Sequence, residues 1–399
     1  MNRRNAIKIA LATGLPLSVL GCSDDVSPEQ YTQADKDLMA RQQELERQNS
    51  GKGPFGKHVY QGYRGLADLP WFELDSEQRL VCVDESIPKA IDVHCHLGMS
   101  VLFEPELDLL KEHPRTRHLL DCDDTNPGCD LDLDIYVNGN FSEEALSFLT
   151  KTIVAQGLWG SDYAETQTIP NLLREMDAMR VERSVLLPIE FGFWFGDRQT
   201  EKWRDAVARA NTDRLISGFS VSPDDKNAIA DMERHVKAGA RVMKLHPPVQ
   251  RFFPDDPSLD ELYTRAAELG VIVFYHGGRA GIESEAAHPY AMPRHYEATF
   301  KNHPNLKCVI GHGGARDGDA MLELALKYDN VWLGTHGQGI THLDKMIEAT
   351  NGERLLFGTD WPFYHVGASL AKVLITTDTP GRSIIREKLL RTNALELLS

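Results

Sequence analysis

Seven side chains in this sequence are of types that bind metal ions or move protons, and each closes a short apolar run. His94 and His96 lie at the end of AIDVHCH, His246 ends ARVMKLH, His276 ends VIVFYH, His312 ends KCVIGH, His336 ends NVWLGTH and Asp360 ends RLLFGTD. Zinc takes imidazole and carboxylate readily, and a catalytic zinc site keeps one position open. Side chains two apart on a strand share a face, so His94 and His96 point one way and Cys95 the other. Two imidazoles at that spacing can share one cation. A single histidine at a strand end is ordinarily a hydrogen-bonded packing residue, and a single H-x-H proves little. Six histidines and an aspartate at the ends of six such runs point to a metal centre.

The elements that must position them follow a simple pattern. Two further runs, RSVLLPI (183–189) and RLISGFSV (214–221), bring the number to eight. Amphipathic stretches lie between them, among them EKWRDAVARAN, KNAIADMERHVKAG, SLDELYTRAAELG, DAMLELALKY and HLDKMIEAT, and REKLLRTNALELL closes the chain. Apolar strands alternating with helices predict an α/β fold with parallel strands, and eight strands close a (β/α)8 TIM barrel. The candidate side chains then share the carboxyl-terminal rim, where barrels carry their chemistry. The spacing is uneven in one place, a long insertion after the first strand. The expected domain is 59–399, with 97–180 as an insertion or lid. Its acidic residues Asp121, Asp123, Asp124, Asp130, Asp132 and Asp134 lack the EF-hand spacing and terminal Glu, so a solvated loop is the preferred reading over a calcium site.

The amino terminus reads as an address. Arg3, Arg4 and Lys8 precede a short apolar run that ends at Val19-Leu20-Gly21-Cys22. The run is too short to span a bilayer, so residues 1–21 are expected to be a signal peptide, lipoprotein-like and twin-arginine-like, with a lipid anchor at Cys22. Residues 22–58 are polar and are expected to form a flexible tether, with one solvated helix over QADKDLMARQQELERQ. The protein is therefore expected to be exported, periplasmic or membrane-anchored. Cys122 and Cys129 flank a turn-rich stretch and can pair in an oxidising compartment. A net charge of −16 disfavours nucleic acid as a partner. No GxxxxGK[ST] loop, GxGxxG turn or CxxC pair anchors a nucleotide or zinc-ribbon reading. The expected partners are a small-molecule substrate, the membrane through the anchor alone, and a second copy of the chain in a homodimer.

The motifs IDVHCHLG, GARVMKLHPP, VFYHGG, CVIGHGG and LLFGTDWPF span residues 91–363. In this order they resemble the amidohydrolase superfamily, in the branch of aminocarboxymuconate-semialdehyde decarboxylase and related hydrolases and decarboxylases. The resemblance implies that His94, His96, His276 and Asp360 bind one divalent metal ion, zinc by preference. It implies that Asp360 also accepts a proton from the activated water and that His312 is the general base or an electrostatic partner of the reacting group. A bound divalent ion brings the pKa of water to about 7, which agrees with such roles. Lys244 leaves an alternative open, a binuclear site bridged by a carboxylated lysine. Arg316 suits a substrate carboxylate or a surface ion pair, and Glu190, Phe191, Trp194, His336 and Trp361 are candidates for lining the pocket.

Three functions compete. A metal-dependent hydrolase of a C–N or C–O bond in a small organic substrate comes first, because export favours breaking down something taken from outside. A metal-dependent, non-oxidative decarboxylase of an aromatic or unsaturated carboxylic acid uses the same ligands. A lipid-anchored binding protein on a decayed barrel is disfavoured, since no expected ligand is missing.

Overall fold

The computed structural model describes residues 31–99, 107–123, 129–191 and 198–399. Residues 1–30, with the expected signal segment and Cys22, lie outside the described residues, as do Asp124 and Trp194.

All eight expected strands form, each within about two residues of its sequence run, except that β8 keeps only the apolar start of its run. They are β1 (Ala90–Cys95), β2 (Val181–Leu186), β3 (Leu215–Ser217, continued by Phe219–Ser220), β4 (Val242–Leu245), β5 (Ile272–Tyr275), β6 (Cys308–Ile310), β7 (Val331–Gly334) and β8 (Leu355–Leu356). Every neighbouring pair from β1 to β8 is parallel. At the seam, Val93 N–H donates to Phe357 O (3.0 Å), Asp360 N–H to His94 O (2.8 Å) and His96 N–H to Trp361 O (2.6 Å). The chain after β8 therefore runs along β1. Inside the strands Ile91, Val93, Val185, Val242, Ile272, Phe274, Val309, Trp332 and Leu356 form one buried cluster. The larger cluster lies between the strands and the surrounding helices, the packing expected of a barrel with helices outside.

The expected crossover helices are present at Gln199–Ala210, Ala228–Lys237, Asp260–Glu268, Gly318–Lys327 and Ile340–Thr350. Gly270 has φ +66°, the left-handed turn a helix end favours. The helix Val366–Thr377 was not expected: every residue in it is buried, so it lacks the charged solvent face that marks a surface helix.

The insertion is shorter than the expected 97–180. Ile169–Ala178 buries Ile169, Leu172 and Met176 and leads directly into β2, as the barrel's own first crossover. The rest carries the helix Glu143–Trp159 and a strand, Asp130–Asp132, antiparallel to Val59–Gln61. Cys122 and Cys129 are disulfide-bonded, with Cα atoms 5.1 Å apart. Its acids serve as acceptors for backbone N–H groups: Asp134 takes Gly51 N (2.8 Å) and Thr341 N (2.9 Å), and Asp123 takes Arg64 N (3.1 Å). They therefore pin loops, which departs from a freely solvated loop.

The segment expected to be a flexible tether also differs. Its helix forms, Gln33–Asn49 with Thr32 in a capping box, but it lies against the barrel rim. Asp35 pairs with Arg294 (3.0 Å), Lys36 pairs with Glu285, and Arg279 donates to Asp35 O (2.8 Å). Composition showed a polar helix; it did not show that its charges have partners on the rim.

Candidate metal centre and active site

The β1–β8 seam holds the tightest group. Alternation on β1 brings His94 Nε2 and His96 Nε2 to 3.1 Å of each other. Asp360 Oδ1 lies 3.1 Å from His96 Nε2 and 3.5 Å from His94 Nε2. Two atoms each about 2.0–2.1 Å from one tetrahedral ion stand about 3.3 Å apart, so the spacing is that of ligands round a shared cation. All three side chains are buried. His96 Nδ1 faces Leu187 O at 2.8 Å. That carbonyl takes the ring's proton and leaves Nε2 free to coordinate, the usual second-layer partner of a metal-bound histidine.

The backbone here is strained and held. Asp360 has φ +58°, a conformation of limited cost to aspartate but rare for other side chains. Behind it, buried Asp92 ties the two strands: its carboxylate accepts from His94 N (3.0 Å), Thr359 N (3.1 Å) and Thr359 Oγ1 (2.6 Å). Burial pushes the Asp92 carboxyl up to about 6 against those hydrogen bonds. Trp361, a candidate for lining the pocket, is buried, and its Nε1–H donates to buried Glu175 (3.1 Å), which also accepts Val366 N (2.9 Å).

The β5–β7 side holds a second group. His94, His312 and His336 also bring ligand atoms within 4.8 Å of one another. The ring centroids of His336 lie 4.3 Å from His94 and 4.2 Å from His312. Both His336 nitrogens, together with His312 Nδ1 and His94 Nδ1, are buried without a hydrogen-bond partner among the described residues. Buried nitrogens without a protein partner are unusual, and these are of the kind a cation or substrate could satisfy. His312 Nδ1 stands 3.9 Å from Asp360 Oδ2. His312 itself sits at φ +57°, in a run of glycines that lets two loops touch. At Gly278 an added Cβ would stand 1.9 Å from Gly314 O, so no side chain fits there. This is a physical reason for glycines in VFYHGG and CVIGHGG.

His276 is near but turned. Its Nε2 faces Glu283 Oε1 (2.8 Å) and its Nδ1 faces His312 Nε2 (3.1 Å), and it is in neither of the two close groups. Glu283, which sequence reasoning missed, also accepts Ala280 N (3.1 Å) and Gly281 N (2.9 Å). Burial works to raise its carboxyl, but the His276 hydrogen bond and charge overcome it and hold it at about 2. It lies in a loop with no strand or repeat to flag it. His246 stacks on His276 with centroids 4.1 Å apart and accepts Val249 N.

Electrostatics favour a cation-ready state. Burial, then neighbouring positive or basic groups, holds His94, His246 and His312 well below the usual imidazole range. Burial brings His336 down to about 3 despite Asp360. Neutral imidazoles beside a carboxylate are what metal binding requires. Lys244 Nζ lies 3.3 Å from His94 Nε2, and burial lowers its amine to about 7. Arg316, which sequence left between surface pair and substrate contact, is buried.

A sequence model of the amidohydrolase family matches residues 91–399. The chain belongs to the amidohydrolase family. No curated protein is similar enough in sequence to match. Among solved structures, this amidohydrolase is similar to an uncharacterized TIM-barrel protein of Bordetella bronchiseptica, at 22% identity and TM-score 0.53, covering 77% of this chain and 98% of that one. It is similar to 5-carboxyvanillate decarboxylase of Sphingomonas paucimobilis, at 15% identity and TM-score 0.52, covering 77% and 98%. The same enzyme of Novosphingobium aromaticivorans, complexed with manganese and 4-hydroxy-3-methoxy-5-nitrobenzoic acid, is 14% identical with TM-score 0.51, covering 77% and 96%. At these identities the likeness is one of fold. The protein is thus a TIM-barrel enzyme of the amidohydrolase superfamily, with a histidine-rich group at the barrel rim that fits a metal ion.

Proposed function

We propose that this amidohydrolase is a metal-dependent hydrolase of a C–N or C–O bond in a small organic substrate. The convergence of His94, His96 and Asp360 beside the neutral imidazoles of His312 and His336 carries the reading. His94, His96 and Asp360 would hold one divalent ion, zinc by the chemistry of the donors, with His276 the next donor at hand. When bound, such an ion supplies Lewis acidity, polarising a carbonyl and acidifying water. His312 is the base: it is neutral, its Nδ1 is bare, and it faces Asp360 Oδ2. Asp360, facing His312, would pass a proton between water and that imidazole. Glu283 keeps the His276 ring oriented so that its Nδ1 meets His312 Nε2. A carboxylated Lys244 bridging two ions is the alternative, and its place beside His94 keeps it open.

A second reading is a non-oxidative decarboxylase, supported by the buried guanidinium of Arg316, which suits an acid substrate. Lactones, amides and aromatic carboxylic acids screened with the metal-loaded protein separate the two. Turnover without carbon dioxide supports hydrolysis; carbon dioxide release supports the lyase; inactivity of a metal-loaded protein on all three classes contradicts both. Export and a lipid anchor at Cys22 are further proposals, supported by the Arg3-Arg4 segment and by a disulfide suited to an oxidising compartment. A Cys22→Ala protein that stays membrane-bound would contradict the anchor.

A further inference from the structure

The helix Gln33–Asn49 lies outside the barrel, yet it reaches the site. Its Glu46 Oε2 stands 3.5 Å from Arg316 Nη1. Arg316 is four residues beyond His312 and buried: it lies over the Tyr136 ring, 5.4 Å from guanidinium carbon to centroid. A buried guanidinium ordinarily makes short, paired hydrogen bonds of about 2.7–2.9 Å to a carboxylate. This one has a single long contact, and its Nε has no partner among the described residues. The Tyr136 hydroxyl beside it is also buried and unpartnered, and so is Gln42 Oε1, one turn before Glu46 on the same helix face. A loosely held ion pair, its own Nε unpartnered, thus has two further unsatisfied polar groups, one on the ring beneath the guanidinium and one a turn along the helix. The corner adjoins the site: Arg316 Nε lies against Gly281, whose N–H donates to Glu283, and the Tyr136 ring packs against Gly337, the residue after His336. Burial raises the Glu46 carboxyl although Arg316 and the Tyr136 backbone pull the other way, and burial lowers Arg316 although Glu46 opposes it. Neither partner recovers what burial takes.

The helix is also lightly held. It buries no residue fully. Its other named contacts are polar: Asp35 with Arg294, Lys36 with Glu285, Arg279 with Asp35 O (2.8 Å) and, just before the helix, the Tyr31 hydroxyl with His288 Nδ1 (3.0 Å). Exposed ion pairs contribute about 0–1 kcal/mol each, and segments held this way open most readily.

We propose that Arg316 and Tyr136 form the acid-recognition corner of the active site and that Glu46, carried by the helix, occupies the place of a substrate carboxylate until a substrate displaces it. The inference rests on the enzymatic reading above and names its substrate class: an organic acid whose carboxylate sits on Arg316 while its reacting carbon lies toward His312. It makes Glu46 a specificity-determining residue, since a neutral molecule cannot compete for the guanidinium.

Benzoate, with benzamide as its neutral counterpart, tests this by calorimetry, independently of turnover. Replacing the internal competitor in Glu46→Gln is expected to tighten benzoate by about tenfold, if the displaced state is about one tenth populated in the parent, and to leave benzamide unchanged. Arg316→Gln is expected to lose benzoate, and Arg316→Lys to keep part of it. Hydrogen exchange on the unaltered protein gives a check without substitution: benzoate is expected to speed exchange around Gln42–Glu46. If Glu46→Gln binds benzoate no better than the parent, or not at all, or if benzoate leaves exchange of the helix unchanged or slower, the proposal is overturned. Loss of turnover with this binding pattern intact would instead fault the reaction, not the corner.

Discussion

The two sides of the barrel mouth are built from the same residue types and differ in how those residues are satisfied. On the β1–β8 side, His96 has Leu187 O behind it, Asp360 is fixed by backbone bonds to His94, and Asp92 and Glu175 brace the turn, although His94 Nδ1 has no partner among the described residues. On the β5–β7 side, His312 Nδ1 and both His336 nitrogens are bare, and the fixed partner is Glu283 behind His276. Groups whose second atoms are spoken for can hold an ion in one geometry. Groups with free lone pairs can exchange protons and meet a substrate. On the proposed function, one side would hold the ion and the other would react.

The difference can be broken at several points. Replacing both His94 and His96 by Ala should remove the ion and reduce turnover to background, while melting shows a folded barrel. His312→Gln should keep the ion and lower kcat by about 10²–10⁴-fold, the range for loss of a positioned acid–base group; metal loss in this variant would erase the division between the sides. Glu283→Gln should lower activity or metal affinity by about 10–100-fold, as for other residues that orient a ligand. An unaltered pH–rate profile and affinity would assign Glu283 to packing.

The smallest effect concerns stability. Glu175 is held at about 2 in the folded protein, where burial would raise it but His365 and His118 lower it. Its folded value lies below its unfolded one, so its contribution is full above about pH 4.5 and is lost as pH falls toward 2, on the order of 3 kcal/mol in all. Glu175→Gln should flatten the acid limb of unfolding over that window. An unchanged acid limb would show that Glu175 does not brace the Trp361 turn through its charge.

Much of the holding side was legible in the sequence. H-x-H fixes two imidazoles on one strand face, and GTD places a carboxylate at the next strand's end, because strand parity is local. The strands were legible because continuous apolar runs mark buried parallel strands. The reacting side was less so. Whether His276 turns to the ion or to Glu283 depends on a loop conformation that periodicity does not carry, and nothing in the sequence shows that His336, a candidate for lining the pocket, leaves both nitrogens without partners. Val366–Thr377 hid because it is buried all round. The helix Gln33–Asn49 was readable as a helix but not as part of the rim, because its partners Arg279, Arg294 and Arg316 lie more than two hundred residues away.

The most direct test is elemental analysis of the native protein by mass spectrometry, beside the His94→Ala/His96→Ala variant. Expected is close to one divalent ion per native chain, and none in the folded variant. A folded native protein that neither carries a divalent ion nor takes one up on addition would contradict the metal centre and all the chemistry placed around it.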